Sequence, residues 1–152
     1  MIKCIIIDDE QLAIDVIINY INRMPGLELV GTTTNPLLAI DLIKSKKPDV
    51  VFLDIEMDEM NGIDLMKIIG IYTRVIFCTA YSQFAVESYD LEAVDYLMKP
   101  VPFNRFIKSI QRLNQVLNLS TLQVQESIPN DYIFIKTEQK GKMIKINLDD
   151  ID

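Results

Sequence analysis

The feature that most constrains this chain is a repeated alternation of short apolar runs with stretches of helical spacing. Ile2–Ile7 is an apolar, β-branched run that stops at Asp8-Asp9-Glu10. Runs of that kind read as strands buried on both faces, the pattern of parallel sheets. Four further strands are expected at Leu27–Gly31, Val50–Leu53, Arg74–Cys78 and Asp95–Met98. Helices are expected between and after them, at Gln11–Met24, Pro36–Ser45, Gly62–Ile69, Ser82–Leu91 and Phe103–Leu119. Pro25-Gly26 stops the first of these helices. Asn35 can cap the second, with Pro36 at its first position. Strict alternation implies an α/β fold with a doubly wound parallel sheet and right-handed crossovers.

Ligands of such sheets sit outside the carboxyl ends of the strands. The residues at those ends here are Asp8, Asp9, Asp54, Thr79 and Lys99, all polar after apolar runs. In a strand order 2-1-3-4-5 the strands ending at Asp8-Asp9 and Asp54 are neighbours, about 4.8 Å apart. Their carboxylates would repel one another, and a hard divalent cation such as Mg²⁺ relieves that repulsion. A carboxylate can also act as a nucleophile and form an aspartyl phosphate. Phosphoryl transfer asks mainly for alignment and charge neutralisation, which Lys99 and the Thr79 hydroxyl could supply. Taken singly, each residue has an ordinary reading: Asp9 as a helix cap, Lys99 as a solvated strand end, Thr79 as a β-branched neighbour. The ordered set is what points to chemistry.

Composition narrows the choice. The chain has 152 residues and a formal net charge of -7, which argues against a bare nucleic-acid-binding module. It contains no histidine, which removes His-based catalysis and His metal ligands. Cys4 and Cys78 lie in apolar runs and read as small core residues. In the expected strand order they are separated by the third strand, about 9.6 Å, beyond disulfide reach. The apolar N-terminus is too short to span a bilayer, and the cytoplasm is the expected compartment, with no membrane partner.

Asp8-Asp9-Glu10, Val51-Phe52-Leu53-Asp54, Thr79-Ala80 and Tyr96-Leu97-Met98-Lys99-Pro100 together resemble the response-regulator receiver domain of two-component signalling. The resemblance spans about residues 1–119. It implies a flavodoxin-like (βα)5 fold, phosphorylation of Asp54 by a sensor histidine kinase, and Mg²⁺ held by Asp8, Asp9, Asp54 and the backbone carbonyl of Glu56. It further implies that Thr79 and Lys99 stabilise the phosphoryl group, that Thr79 and Tyr96 form the switch, and that Lys99-Pro100 is cis. Such a domain is a phosphoacceptor rather than an enzyme, with slow self-dephosphorylation at most. Asn61, before Gly62, stands where the family commonly has proline, which puts only loop stiffness in question.

Residues 120–130 read as a linker, in part a frayed extension of the last helix, and Tyr132–Lys136 with Lys142–Leu148 as a β-hairpin. A lone hairpin is marginal in water, so residues 131–152 read as the start of a second domain. They resemble the opening of a LytTR-type DNA-binding domain. That implies a transcription regulator contacting DNA only through a C-terminal domain mostly beyond Asp152. The apolar stripe Phe84, Val86, Tyr89 and Leu91 suggests core packing or a homodimer face used on phosphorylation. Two rivals share the sheet. An aspartyl-phosphate hydrolase would need an aspartate where Glu56 stands. A flavin-binding module would need a phosphate loop in place of Asp8-Asp9-Glu10.

Overall fold

The computed structural model describes residues 1–80 and 91–127. Five parallel strands form one sheet: β1 (Ile2–Ile7), β2 (Leu27–Thr33), β3 (Val50–Leu53), β4 (Arg74–Thr79) and β5 (Asp95–Met98). Their order is β2-β1-β3-β4-β5, the doubly wound order expected. The register brings the strand ends level. Ile7 pairs with Leu53, Leu53 with Phe77, and Thr79 with Met98. Asp8, Asp54 and Lys99 therefore leave the same edge of the sheet. Cys4 and Cys78 are free, on β1 and β4, which β3 keeps apart.

The strands alternate their side chains between two buried faces. Ile5, Ile7, Val51, Leu53, Val75 and Phe77 pack in one apolar cluster with Ala39, Ile43, Leu65 and Ile69. Those partners belong to α2 (Ala39–Lys46) and α3 (Gly62–Ile69). On the opposite face, α1 (Gln11–Asn22) buries Ile14, Ile17 and Ile21 along one stripe. There Phe52 stacks on Phe106 of α4 (Phe103–Ser127) with ring centroids 5.5 Å apart. Tyr20 closes the same layer against Phe103 and Phe106 and donates its hydroxyl to Val101 O at 2.6 Å. Phe106 is fully buried, and truncating it to alanine would cost about 3–5 kcal/mol.

Several boundaries differ from expectation for local reasons. Asn35 caps as expected, accepting from Leu37 N at 2.9 Å, but the first turn Pro36–Leu38 is 3₁₀ and the α-helix starts at Ala39. Both β2 and β4 run further than their apolar cores, to Thr33 and Thr79, because pairing with β1 and β5 continues there. The last helix does not stop at Leu119. It continues through Ser127 into the stretch read as linker, where no glycine or proline interrupts it until Pro129. The chain divides into two units, Met1–Leu113 and Asn114–Asp152. The expected helix at Ser82–Leu91 and the hairpin of residues 131–152 lie outside the described residues, except that Leu91 packs on the core cluster.

Candidate functional site

The site is built from the ends of β1, β3 and β5. Asp8 follows the buried half of β1 and Asp54 follows the fully buried β3, and both are themselves buried, at 3% and 5% exposure. Their carboxylates are shaped by the local backbone. Asp8 Oδ1 accepts from Glu10 N at 3.0 Å, and Asp54 Oδ1 accepts from Ile55 N at 2.8 Å. Asp54 N in turn donates to Ile7 O at 3.0 Å, which ties β3 to β1 at the point where both become polar. One carboxylate oxygen each from Asp8, Asp9 and Asp54 lies within 4.8 Å of the others.

Lys99 enters from β5. Its Nζ stands 2.8 Å from Asp8 Oδ2, 3.0 Å from Glu10 Oε1 and 3.4 Å from Asp54 Oδ2. The backbone places it: Lys99 N donates to Thr79 O at 2.8 Å, and the Lys99-Pro100 peptide is cis. A cleft of about 410 Å³ opens over these groups, lined in part by Asp9, Asp54, Glu56, Asn61, Ala80 and Lys99.

The third wall of the cleft is the turn into α3. Asn61 is its N-cap and accepts from Ile63 N at 2.7 Å, so the residue that departs from the family's proline has a capping task. Gly62 N donates to Ile55 O at 2.7 Å. A Cβ at Gly62 would overlap the Asp54 carbonyl oxygen and sit 2.8 Å from Ile55 Cα. Only glycine allows so close an approach of the helix start to the Asp54 backbone.

Burial pushes the Asp54 carboxyl up to about 6, with the Asp8 charge adding to the rise and Lys99 opposing it. Asp8 is likewise raised, chiefly by burial, against the pull of Lys99. Burial works against the Lys99 ammonium, but Asp8, Asp54 and Glu10 outweigh it and hold the ammonium well above its ordinary range. One cation thus faces more negative charge than it neutralises. Such a pocket favours a second, hard cation, and its donor set is all oxygen, as Mg²⁺ requires. The residues present fit that ion.

The expected residues fall in place to different degrees. Asp8, Asp9, Asp54 and Lys99 converge. Glu56 is exposed on the cleft wall. Thr79 is fully buried at the end of β4, tied to Lys99 through its carbonyl. Tyr96 sits on β5 opposite Phe77, half-buried against the α2/α3 cluster, and its hydroxyl is raised by burial. The sequence reading assigned no role to Glu10, although it adjoins the acidic pair and reaches Lys99. It also passed over Asp95, at the start of β5. Asp95 takes two bonds from Arg105, at 2.8 and 2.9 Å, and one from Arg112 at 3.2 Å. The seven-residue spacing of the arginines, which puts both on one face of α4, was the available signal.

With this geometry in hand, comparison with known proteins gives a consistent result. The family model of the response regulator receiver domain matches residues 4–111. The chain belongs to that family. It is 40% identical over 129 residues to an uncharacterized response regulatory protein of Vibrio parahaemolyticus, covering 84% of this chain and 53% of that protein. It is 29% identical over 153 residues to the transcriptional regulatory protein BtsR of Salmonella typhi, covering 99% of this chain and 64% of that one. The response regulatory domain of MrkE from Klebsiella pneumoniae superposes with a TM-score of 0.71 at 32% identity, covering 77% of this chain and 98% of that chain. The chain spans about half to two thirds of the length of the curated relatives it matches. The fold is the flavodoxin-like receiver fold. Among the described residues no helix is long and apolar enough to cross a membrane.

Proposed function

We propose that this chain is a Mg²⁺-dependent phosphoacceptor that receives a phosphoryl group on Asp54 from a sensor histidine kinase. The observation that carries the reading is the meeting of Asp8, Asp9 and Asp54 with the Lys99 ammonium in one cleft at the strand ends. Asp54 Oδ1 is engaged by Ile55 N, so Oδ2, turned toward Lys99, is the oxygen suited to attack phosphorus. Lys99 would neutralise one equatorial phosphoryl oxygen, and the Thr79 hydroxyl would donate to another. Asp8, Asp9, Asp54 and the Glu56 carbonyl would hold the metal. A bound Mg²⁺ supplies charge neutralisation across the carboxylates and the incoming phosphoryl oxygens.

Thr79 and Tyr96 would then form the switch, a two-state element biased by the new charge. A homodimer on phosphorylation, a cytoplasmic location and the absence of a membrane partner are parts of the same reading. Transcriptional output, with DNA contacted through a LytTR-type domain beginning near residue 131, rests on the sequence of the tail. It gains support from the likeness to BtsR, a transcriptional regulator.

Incubation with acetyl phosphate, followed by intact-mass analysis, tests the core of the proposal. One phosphoryl adduct is expected with Mg²⁺, none after chelation, and none on Asp54→Asn. An adduct that persists on Asp54→Asn would overturn it.

A further inference from the structure

We propose that Glu10 is a positioning residue that holds the Lys99 ammonium in the unphosphorylated site and so sets the rate at which Asp54 takes up a phosphoryl group. This rests on the phosphoacceptor reading above and extends it to a residue outside the expected set.

The argument begins with donor counting. A lysine ammonium has three N–H donors. Lys99 Nζ faces three carboxylate oxygens, from Asp8, Glu10 and Asp54, at 2.8, 3.0 and 3.4 Å. Its capacity is therefore filled before any phosphoryl group arrives. A phosphoryl oxygen on Asp54 can be neutralised by Lys99 only if one present partner lets go. The Asp8 and Asp54 carboxylates are each fixed in place by a backbone N–H, from Glu10 and Ile55. Glu10 is the remaining partner, and the one best placed to leave. Its side chain is 67% exposed, against 4% for Asp8 and 6% for Asp54, so water takes over its carboxylate on release.

Glu10 has no competing structural duty in its side chain. It is the N-cap residue of α1, but that side chain makes no capping hydrogen bond. Its backbone N–H, not its carboxylate, binds Asp8. The Glu10 carboxylate also lines the cleft through which a dianionic phosphodonor must enter. Engagement of Lys99 and repulsion of the donor act in the same direction, and chain length separates them. Aspartate at position 10 keeps the charge but, one methylene shorter, loses reach to Nζ.

In the reaction tested, an Asp54 carboxylate oxygen attacks the phosphorus of acetyl phosphate. The bond from phosphorus to the acetyl oxygen breaks, acetate leaves with the electron pair, and no proton is consumed. Phosphorylation rates at saturating Mg²⁺ would be measured for the wild type, Glu10→Gln and Glu10→Asp, in low and high salt. Both variants are expected to react about threefold faster than wild type in low salt, the size set by an exposed ion pair, with a smaller gain in high salt, where that pair is screened. Nitrogen-15 NMR of the metal-free protein gives a reading independent of turnover. The Lys99 ammonium signal, slowed in exchange by its three partners, should weaken in both variants.

Unchanged or slower reaction of Glu10→Gln overturns the proposal. So does a wild-type rate for Glu10→Asp beside a faster Glu10→Gln, since Glu10 would then act only through its charge. Absence of any adduct on the wild type, with the Lys99 signal still weakened in the variants, would instead overturn the phosphoacceptor reading and the kinetic role with it.

Discussion

Asp54 and Asp95 are buried almost equally, at 5% and 7% exposure, but their carboxyls are displaced in opposite directions. Burial raises Asp54 and the neighbouring Asp8 raises it further, while Lys99 is shared with two other acids. Burial would raise Asp95 as well, but the paired bonds from Arg105, the Tyr96 N–H and the Arg112 charge overturn that and hold it below the usual carboxylate range. At one site the charge is matched by dedicated partners. At the other it is left in excess. A matched buried acid fastens β5 to α4, whereas an under-matched one stores an electrostatic demand that a ligand can meet.

Removing the matching cation should have the largest effect. Arg105→Ala leaves Asp95 with the Tyr96 N–H and the Arg112 cation, and Arg105 is itself 38% exposed. The expected loss, below the full cost of orphaning a buried charge, is about 2–3 kcal/mol in urea unfolding. The opposite sign is expected at the other acid. Asp54→Asn removes unwanted charge and should stabilise the metal-free protein by on the order of 1–2 kcal/mol.

That gain carries a pH signature. The folded carboxyl of Asp54 lies near 6, above its unfolded value near 3.8, so the folded state binds more protons between the two. The advantage of Asp54→Asn should be full above pH 6 and shrink to nothing as pH falls through 3.8. Asp95 has the reverse linkage. Its stabilisation is present above the unfolded carboxylate range and is lost as pH falls through its lowered folded value. Paired thermal melts of wild type, Asp54→Asn and Asp95→Asn across this window would break the comparison if the two variants moved in parallel. The smallest effect belongs to Arg112→Ala. Its guanidinium is 54% exposed and shares Asp95 with a better partner, so under about 1 kcal/mol is expected.

Much of this is legible in the amino-acid sequence. The parallel sheet, with polar residues at its strand ends, follows from the apolar runs, whereas the strand order that makes Asp8, Asp9, Asp54 and Lys99 converge is what the resemblance to the receiver family implies. The helix boundaries were less legible. Nothing in Pro36-Leu37-Leu38 distinguishes a 3₁₀ turn from an α-helical one. The polar composition of residues 120–127 reads as linker, yet it contains no helix breaker. The Glu10–Lys99 and Asp95–Arg105 pairs were hidden for a different reason. Each joins residues on separate elements, and only the packed register shows which charges face each other.

Gly62 has a consequence for how this domain can vary. The first residue of α3 rests on the main chain of Asp54, with no room for even a methyl group between them. Asp58 and Glu59, exposed at the cleft mouth, can be changed without disturbing that junction. Position 62 offers no such latitude, because any added atom pushes either Asp54 or the helix out of place. The same tightness runs outward. A shift of the Asp54 backbone is handed directly to α3, whose Leu65 and Ile69 are anchored in the apolar cluster beneath the sheet.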